Sequence, residues 1–199
     1  MKTLAVLVIA ARVAAVLLPT ASIAQEARRE VGAHVHGEGK LAVAIEKGKV
    51  SMELEAPAKD IIGFEHAPKT AKEKKTLADA KARLAQGVKV FTLSPEAQCK
   101  KSAAKVELIG LAAKATKAHN HDKHAHGNAD AGSTAEHAEF RVTYAFECKV
   151  PAALKTIGLG YFEAFKGAER LDVSLIGPKG QTSFEVGREK PSIDLGAVN

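Results

Sequence analysis

The chain alternates apolar and polar residues in short runs, the rhythm of half-buried strands. It breaks that rhythm with helical stretches and with one segment that carries no large apolar residue. Leu41, Val43 and Ile45 share one parity while His34, His36, Glu38 and Lys40 take the other, so a strand is expected from Ala33. Glu46-Lys47-Gly48-Lys49 reads as a turn, and Val50, Met52 and Leu54 alternate again, completing a β-hairpin that ends at Pro57. Pro68-Lys69-Thr70 leads into AKEKKTLADAKARLAQ, rich in strong helix formers, with Gly87 placed to stop it. Residues 88–93 and 105–109 read as further strands. Phe140, Val142, Tyr144, Phe146 and Cys148 share one parity, which predicts a strand whose core face carries the cysteine. A second helix is expected from Pro151 through Leu154, Ile157, Leu159, Phe162 and Phe165 to Gly167. Leu171, Val173 and Leu175, then the turn Gly177-Pro178-Lys179-Gly180 and residues 183–186, form a last hairpin.

These elements predict an α+β fold, antiparallel β-hairpins with two packed helices. Each half offers strand, helix and strand in the same order, so a duplicated unit is one reading of the pattern. The expected halves are 33–111 and 137–190, separated by a segment at 112–136 and followed by a tail at 191–199. Residues 112–136 contain Ala, Lys, His, Asn, Asp, Gly, Ser and Thr but no Leu, Ile, Val, Phe or Tyr. With nothing to bury, that segment is expected to be a flexible, solvated loop.

The start of the chain bears on where the protein works. Lys2, a mostly apolar run over residues 4–18, Pro19 and the small residues of Ser22-Ile23-Ala24 predict a signal peptide over 1–24, cut before Gln25, with a flexible leader at 25–32. Arg12 breaks the run, leaving it shorter than the roughly 18 to 20 apolar residues of a spanning helix, so no membrane insertion is expected after cleavage. Export would place the chain in an oxidising compartment. There an even cysteine count predicts a Cys99–Cys148 disulfide that encloses the loop and tethers its roots. The formal charge of +6 loses two with Lys2 and Arg12, and the remaining bases are interleaved with acids, which argues against a nucleic-acid partner.

The candidate chemistry is imidazole. Four of the eight histidines, His119, His121, His124 and His126, fall within AHNHDKHAHG, spaced so that three or four can reach one ion, with Asp122 or Asp130 able to help. Fixing about eight flexible residues costs on the order of 8 to 16 kcal/mol of backbone entropy, comparable to the gross binding energy of a good structural zinc site. A loop of this kind suits capture and exchange. A tighter site is expected on the folded domain, where His34 and His36 on one strand face would stand about 7 Å apart at the backbone. His66, or His137 with Glu139, would complete it. Zinc leads among the metals, with nickel, cobalt and divalent copper behind it, because imidazole suits them all. Monovalent copper would want more methionine than Met52 and free thiols.

Enzymatic signatures are lacking. There is no His-Glu-x-x-His helix, no Gly-x-Ser-x-Gly elbow, no phosphate-binding glycine loop and no cysteine expected to be free. A catalytic zinc on His34, His36 and His66 with an open water position is the one enzymatic reading left, and a binding protein is expected instead. A protein-interaction adaptor of the envelope with incidental histidines is the competing class.

The motifs also carry a resemblance. Ala33-His34-Val35-His36-Gly37, Phe64-Glu65-His66-Ala67-Pro68, the His-rich insertion, and Glu136-His137-Ala138-Glu139-Phe140 leading through Tyr144-Ala145-Phe146 to Cys148 resemble the ZrgA-like, zinc-regulated periplasmic proteins of Gram-negative bacteria. This His-rich family was formerly described as a domain of unknown function. The resemblance spans roughly residues 33 to 187. It implies a periplasmic zinc binder, made when zinc is scarce, that assists a separate high-affinity importer, whose solute-binding protein is the implied partner. It also implies candidate ligands at His34, His36, His66, His137 and among the loop histidines.

Overall fold

Leu41, Val43 and Ile45 are buried while Ala42, Ala44 and Glu46 between them are exposed, and this alternation builds β1 (Glu38–Glu46). A two-residue turn follows in which Lys47 and Gly48 both take positive φ, 49° and 80°, the geometry that matches the twist of a tight hairpin. It hands the chain to β2 (Lys49–Pro57), with Val43 opposite Met52. The computed structural model describes residues 35–111 and 138–199. The expected signal peptide and leader, His34, the loop at 112–136 with His119, His121, His124 and His126, and His137 lie outside the described residues.

A short helix, α1 (Ala58–Ile62), leaves β2 directly, and α2 (Ala71–Gln86) follows at the position the helix formers predict. Thr70 and Glu73 close a capping box at the start of α2, each side chain satisfying a backbone N–H of the other's turn, and the backbone N–H of Gly87 closes its end on the carbonyl of Leu84. The chain continues through β3 (Phe91–Leu93), a 3₁₀ turn at Pro95–Ala97, β4 (Cys99–Ile109) and β5 (Glu139–Cys148). The remaining elements are β6 (Thr156–Leu159), α3 (Tyr161–Ala164), β7 (Arg170–Gly177), β8 (Gly180–Gly187) and β9 (Ser192–Asp194). Six strands form one sheet in the order β4-β5-β2-β1-β7-β8, and three form a second in the order β3-β6-β9. The α+β expectation holds.

One face of the large sheet is the core. Val50, Leu54, Phe140, Val142, Phe146, Leu171 and Leu175 are all but fully buried there. Phe91 of the small sheet meets Tyr144 of the large one edge to face, with ring centroids 5.5 Å apart. The Tyr144 hydroxyl donates to the carbonyl of Leu84 at 2.9 Å, tying the end of α2 to the same layer. Burial raises the pKa of that hydroxyl, so it stays a donor.

Three expectations need correction. The segment after Pro151 is not one helix to Gly167 but a 3₁₀ turn at Pro151–Ala153, the strand β6 and the single turn α3. Gly158 and Gly160 weaken a helix there, and a Cβ at Gly160 would stand 2.4 Å from the carbonyl oxygen of Lys89. Ile157 and Leu159 share strand parity and are buried between β3 and β9. The residues read as a tail contribute β9, with Ile193, Leu195 and Val198 buried. Cys99 and Cys148 do form a disulfide, as directly paired cross-strand neighbours packed against the core, but both are half-buried rather than buried.

The two halves also interleave. β1 of the first pairs in parallel with β7 of the second, and β5 pairs with both β2 and β4. Among the described residues no helix is long and apolar enough to cross a membrane.

Candidate metal centre

Both described histidines of the predicted set lie near the end of the large sheet where β1 and β5 begin and β2 ends. That end is assembled by the backbone. Lys40 pairs with Glu55 and Pro57 with Glu139, while the N–H of Ala58 donates to the carbonyl of Ala138 at 2.7 Å. The stretch before β1, the stretch after β2 and the entry to β5 therefore meet around α1.

His36 is not on a strand. It lies in a turn closed by the Glu38 N–H on the Val35 carbonyl at 3.1 Å, so the strand spacing expected for His34 and His36 does not apply to it. The cause is Gly37, whose φ of +88° is left-handed and ends the extended backbone before β1. Its N–H donates to Asp60 Oδ2 at 2.8 Å, and its carbonyl accepts from the N–H groups of Glu169 at 2.8 Å and Arg170 at 3.0 Å. The imidazole of His36 then meets Glu65, Nε2 to Oε1 at 3.1 Å.

Glu65 and His66 owe their place to α1. The helix ends at Gly63, left-handed at φ +84°, whose N–H closes on the Lys59 carbonyl at 2.9 Å, and the chain turns into Phe64-Glu65-His66. The ring of His66 stacks on Phe64 with centroids 5.1 Å apart. Its Nδ1 lies 3.1 Å from the carbonyl oxygen of Ala67. A carbonyl only accepts, so Nδ1 is the donor of that bond, and in the neutral ring Nε2 keeps the lone pair. A backbone carbonyl on one ring nitrogen is the usual support of a metal-binding imidazole. Nε2 stands 3.9 Å from Glu73 Oε1. Both imidazoles are 53% exposed, so an ion arriving from solvent reaches them without any opening of the core.

The electrostatic setting is acidic. Asp60 is buried, and burial is the largest cause of its raised pKa. The Gly37 hydrogen bond and His36 pull it down, and Glu65 and Glu169 push it up. At the start of β5, Glu139 is 1% exposed and holds Arg141 at 2.7 Å. The same guanidinium faces Glu55 at 3.3 Å and Glu53 at 3.7 Å. Glu139, expected as a ligand partner of His137, is thus engaged by arginine.

The donor set is imidazole and carboxylate, which suits a borderline divalent ion. Among the described residues no three ligand-type side chains close on one point. They offer two pairs instead, His36 with Glu65 and His66 with Glu73. Asp60, Glu65, Glu73 and Glu169 are what reading the sequence missed. Glu65 was legible as the neighbour of His66, whereas Asp60 and Glu169 are brought to His36 only by the fold.

No curated protein sequence matches the chain. A family model does, that of the ZrgA family zinc uptake proteins, over residues 33–195, nearly everything from the first expected strand to the last observed one. That span takes in both described histidines, the carboxylates around them and the disulfide, and the chain belongs to the ZrgA family of zinc uptake proteins.

Proposed function

We propose that this protein is a periplasmic zinc binder, not an enzyme, which captures or buffers zinc and passes it to the solute-binding protein of a high-affinity importer. The observation that carries this is the His36–Glu65 pair beside His66, whose Nδ1 proton is committed to a carbonyl so that Nε2 is left for an ion. Zinc prefers four donors, and in this proposal His34 and His137 supply what the described pair lacks. The reading draws on the chain: His34 stands two residues before His36, and His137 precedes Ala138, whose carbonyl is bound by α1. His119, His121, His124 and His126 form the weaker collecting arm. Membership of a zinc uptake family fits an extracytoplasmic protein, and the signal peptide expected over 1–24 supports the periplasmic reading.

Calorimetric zinc titration of the processed protein tests this. His36→Ala should weaken the tighter site by more than about tenfold, the loss seen even for groups that merely support a ligand. Deleting 118–127 should reduce the number of ions bound and leave the tighter site in place. Binding no stronger than about 1 mM in the parent protein would sink the proposal. Nickel and copper(II) titrated in competition decide the metal, since intrinsic affinity alone would favour copper.

A further inference from the structure

We propose that Asp60 is a positioning residue of this centre, its buried carboxylate clamping the Gly37 peptide so that His36 is presented to Glu65. The inference rests on the reading of His36 and Glu65 as zinc ligands and adds to it a group that touches no ion. Gly37 N–H is the amide nitrogen of the peptide whose carbonyl belongs to His36. A bond of 2.8 Å from that N–H to Asp60 Oδ2 therefore fixes the backbone plane from which the imidazole projects. The Gly37 carbonyl is held from the other side by the Glu169 and Arg170 N–H groups at 2.8 and 3.0 Å, so the residue after His36 is gripped on both faces.

The same carboxylate sits on α1, three residues before the Gly63 cap, and that cap launches Phe64-Glu65-His66. One side chain thus joins the segment carrying His36 to the helix whose end leads into Glu65 and His66. Asp60 is itself held. It is 6% exposed, and Gly167 packs so closely on its backbone that a Cβ there would stand 2.6 Å from the Asp60 carbonyl oxygen. A buried carboxylate is costly, and a hydrogen bond to an ionised acceptor is among the stronger ones, so the bond orders both partners. Preorganising two ligands removes ordering that zinc would otherwise have to drive.

Two substitutions separate positioning from charge. Asp60→Ala removes the acceptor and should weaken zinc binding at the His36 site about tenfold, read by competition with a fluorescent chelator. Asp60→Asn keeps an acceptor oxygen at the same reach but is neutral and a poor ligand, and should restore affinity to within about threefold of the parent. Where the alanine variant fails to fold, Asp60→Ser, whose hydroxyl is too short to span to Gly37, stands in with the same expected loss. A second readout needs no metal. In ¹⁵N–¹H spectra of the zinc-free protein, Asp60→Ala should move the Gly37 amide and shift the His36 Nε2 resonance away from its carboxylate-bonded value, and Asp60→Asn should move both far less. Equal losses in the alanine and asparagine variants would overturn positioning in favour of charge or direct ligation. Unchanged His36 resonances in Asp60→Ala would overturn it outright. Failure of the zinc reading looks different: the parent protein would show no zinc-induced shift at His36 while the zinc-free spectra still reported the clamp.

Discussion

The two ends of the large sheet are built on opposite terms. At one end β4 begins and β5 stops, and the chain is closed covalently by Cys99–Cys148. The Cys148 N–H donates to the Gly48 carbonyl at 2.8 Å, and Gly48 sits so near Pro151 that a Cβ would stand 2.8 Å from its ring. The Asn199 side chain donates to the carbonyl of Leu154 at 2.7 Å, tying the C-terminus to the segment that follows Pro151. At the other end, where β5 begins, there is no crosslink among the described residues. Position depends there on a left-handed glycine, a buried carboxylate and one guanidinium among three glutamates. On the proposed function, rigidity and chemistry are segregated. Loop closure stabilises without placing any side chain, so it belongs at the end away from the proposed ligands. The ligand end needs direction, which hydrogen bonds supply.

The sharpest way to break this comparison is to remove the crosslink. A separation of 49 residues corresponds to about 4 kcal/mol of stabilisation in the loop-entropy treatment. Replacing both cysteines by alanine should lower the unfolding free energy in urea by roughly that amount. Zinc affinity measured where the variant is still folded should stay within about twofold of the parent, less than half a kcal/mol. A parallel loss of affinity would mean that the two ends are mechanically one.

Gly37→Ala attacks the other end. The backbone there has φ +88°, and an added Cβ would lie 3.1 Å from Glu169 Cδ. Left-handed geometry costs a residue with a Cβ about 1–2 kcal/mol, so stability should fall by that amount, half or less of the crosslink's effect. Here affinity should fall as well, because the residue that relaxes is the one after His36. Pairing the change with Glu169→Ala relieves the contact but not the dihedral, and should recover only part of both losses. Full recovery would show that crowding, and not φ, sets the position.

How much of this could be read in advance follows the range of the forces involved. The hairpin at Glu46-Lys47-Gly48-Lys49 and the helix from Thr70 to Gly87 were legible because turn glycines, alternation and capping residues act within a few positions. The pairing of Cys99 with Cys148 was legible because only two cysteines exist. The parallel pairing of β1 with β7 was not, since alternation fixes which face is buried but not which strand lies alongside. Leu154, Ile157, Phe162 and Phe165 also fit a helical stripe, and Gly158, Gly160 and the small sheet's need for a middle strand between Phe91 and Ile193 decide against it. At the candidate centre, histidine announces itself by type. Asp60, one acid in a sequence with 23 Asp and Glu, matters solely because α1 and the turn before β1 meet.

The smallest effect lies beside that centre, at the start of α2. Glu73 Oε2 accepts the N–H groups of Lys69 at 2.7 Å and Thr70 at 2.9 Å while the Thr70 hydroxyl accepts the Glu73 N–H at 3.1 Å. Thr70→Ala should cost about 1 kcal/mol of stability, the ordinary worth of such a cap. Those backbone donors are the main reason the Glu73 carboxyl lies below its ordinary value of 4.5. A lowered folded pKa means that the ionised group stabilises the fold above that value and stops doing so as pH falls through the folded one. Glu73→Gln retains the hydrogen-bonding shape without the charge, so its melting temperature should sit slightly below the parent's at pH 7 and converge on it as pH drops below 4.5. Because the other Glu73 oxygen stands 3.9 Å from His66 Nε2, the same variant probes the ligand end from outside. If Glu73 serves the cap alone, zinc affinity at pH 7 will not change. A fall of tenfold would move Glu73 from the helix to the metal, and with it the boundary between the part of this end that holds the fold and the part that binds.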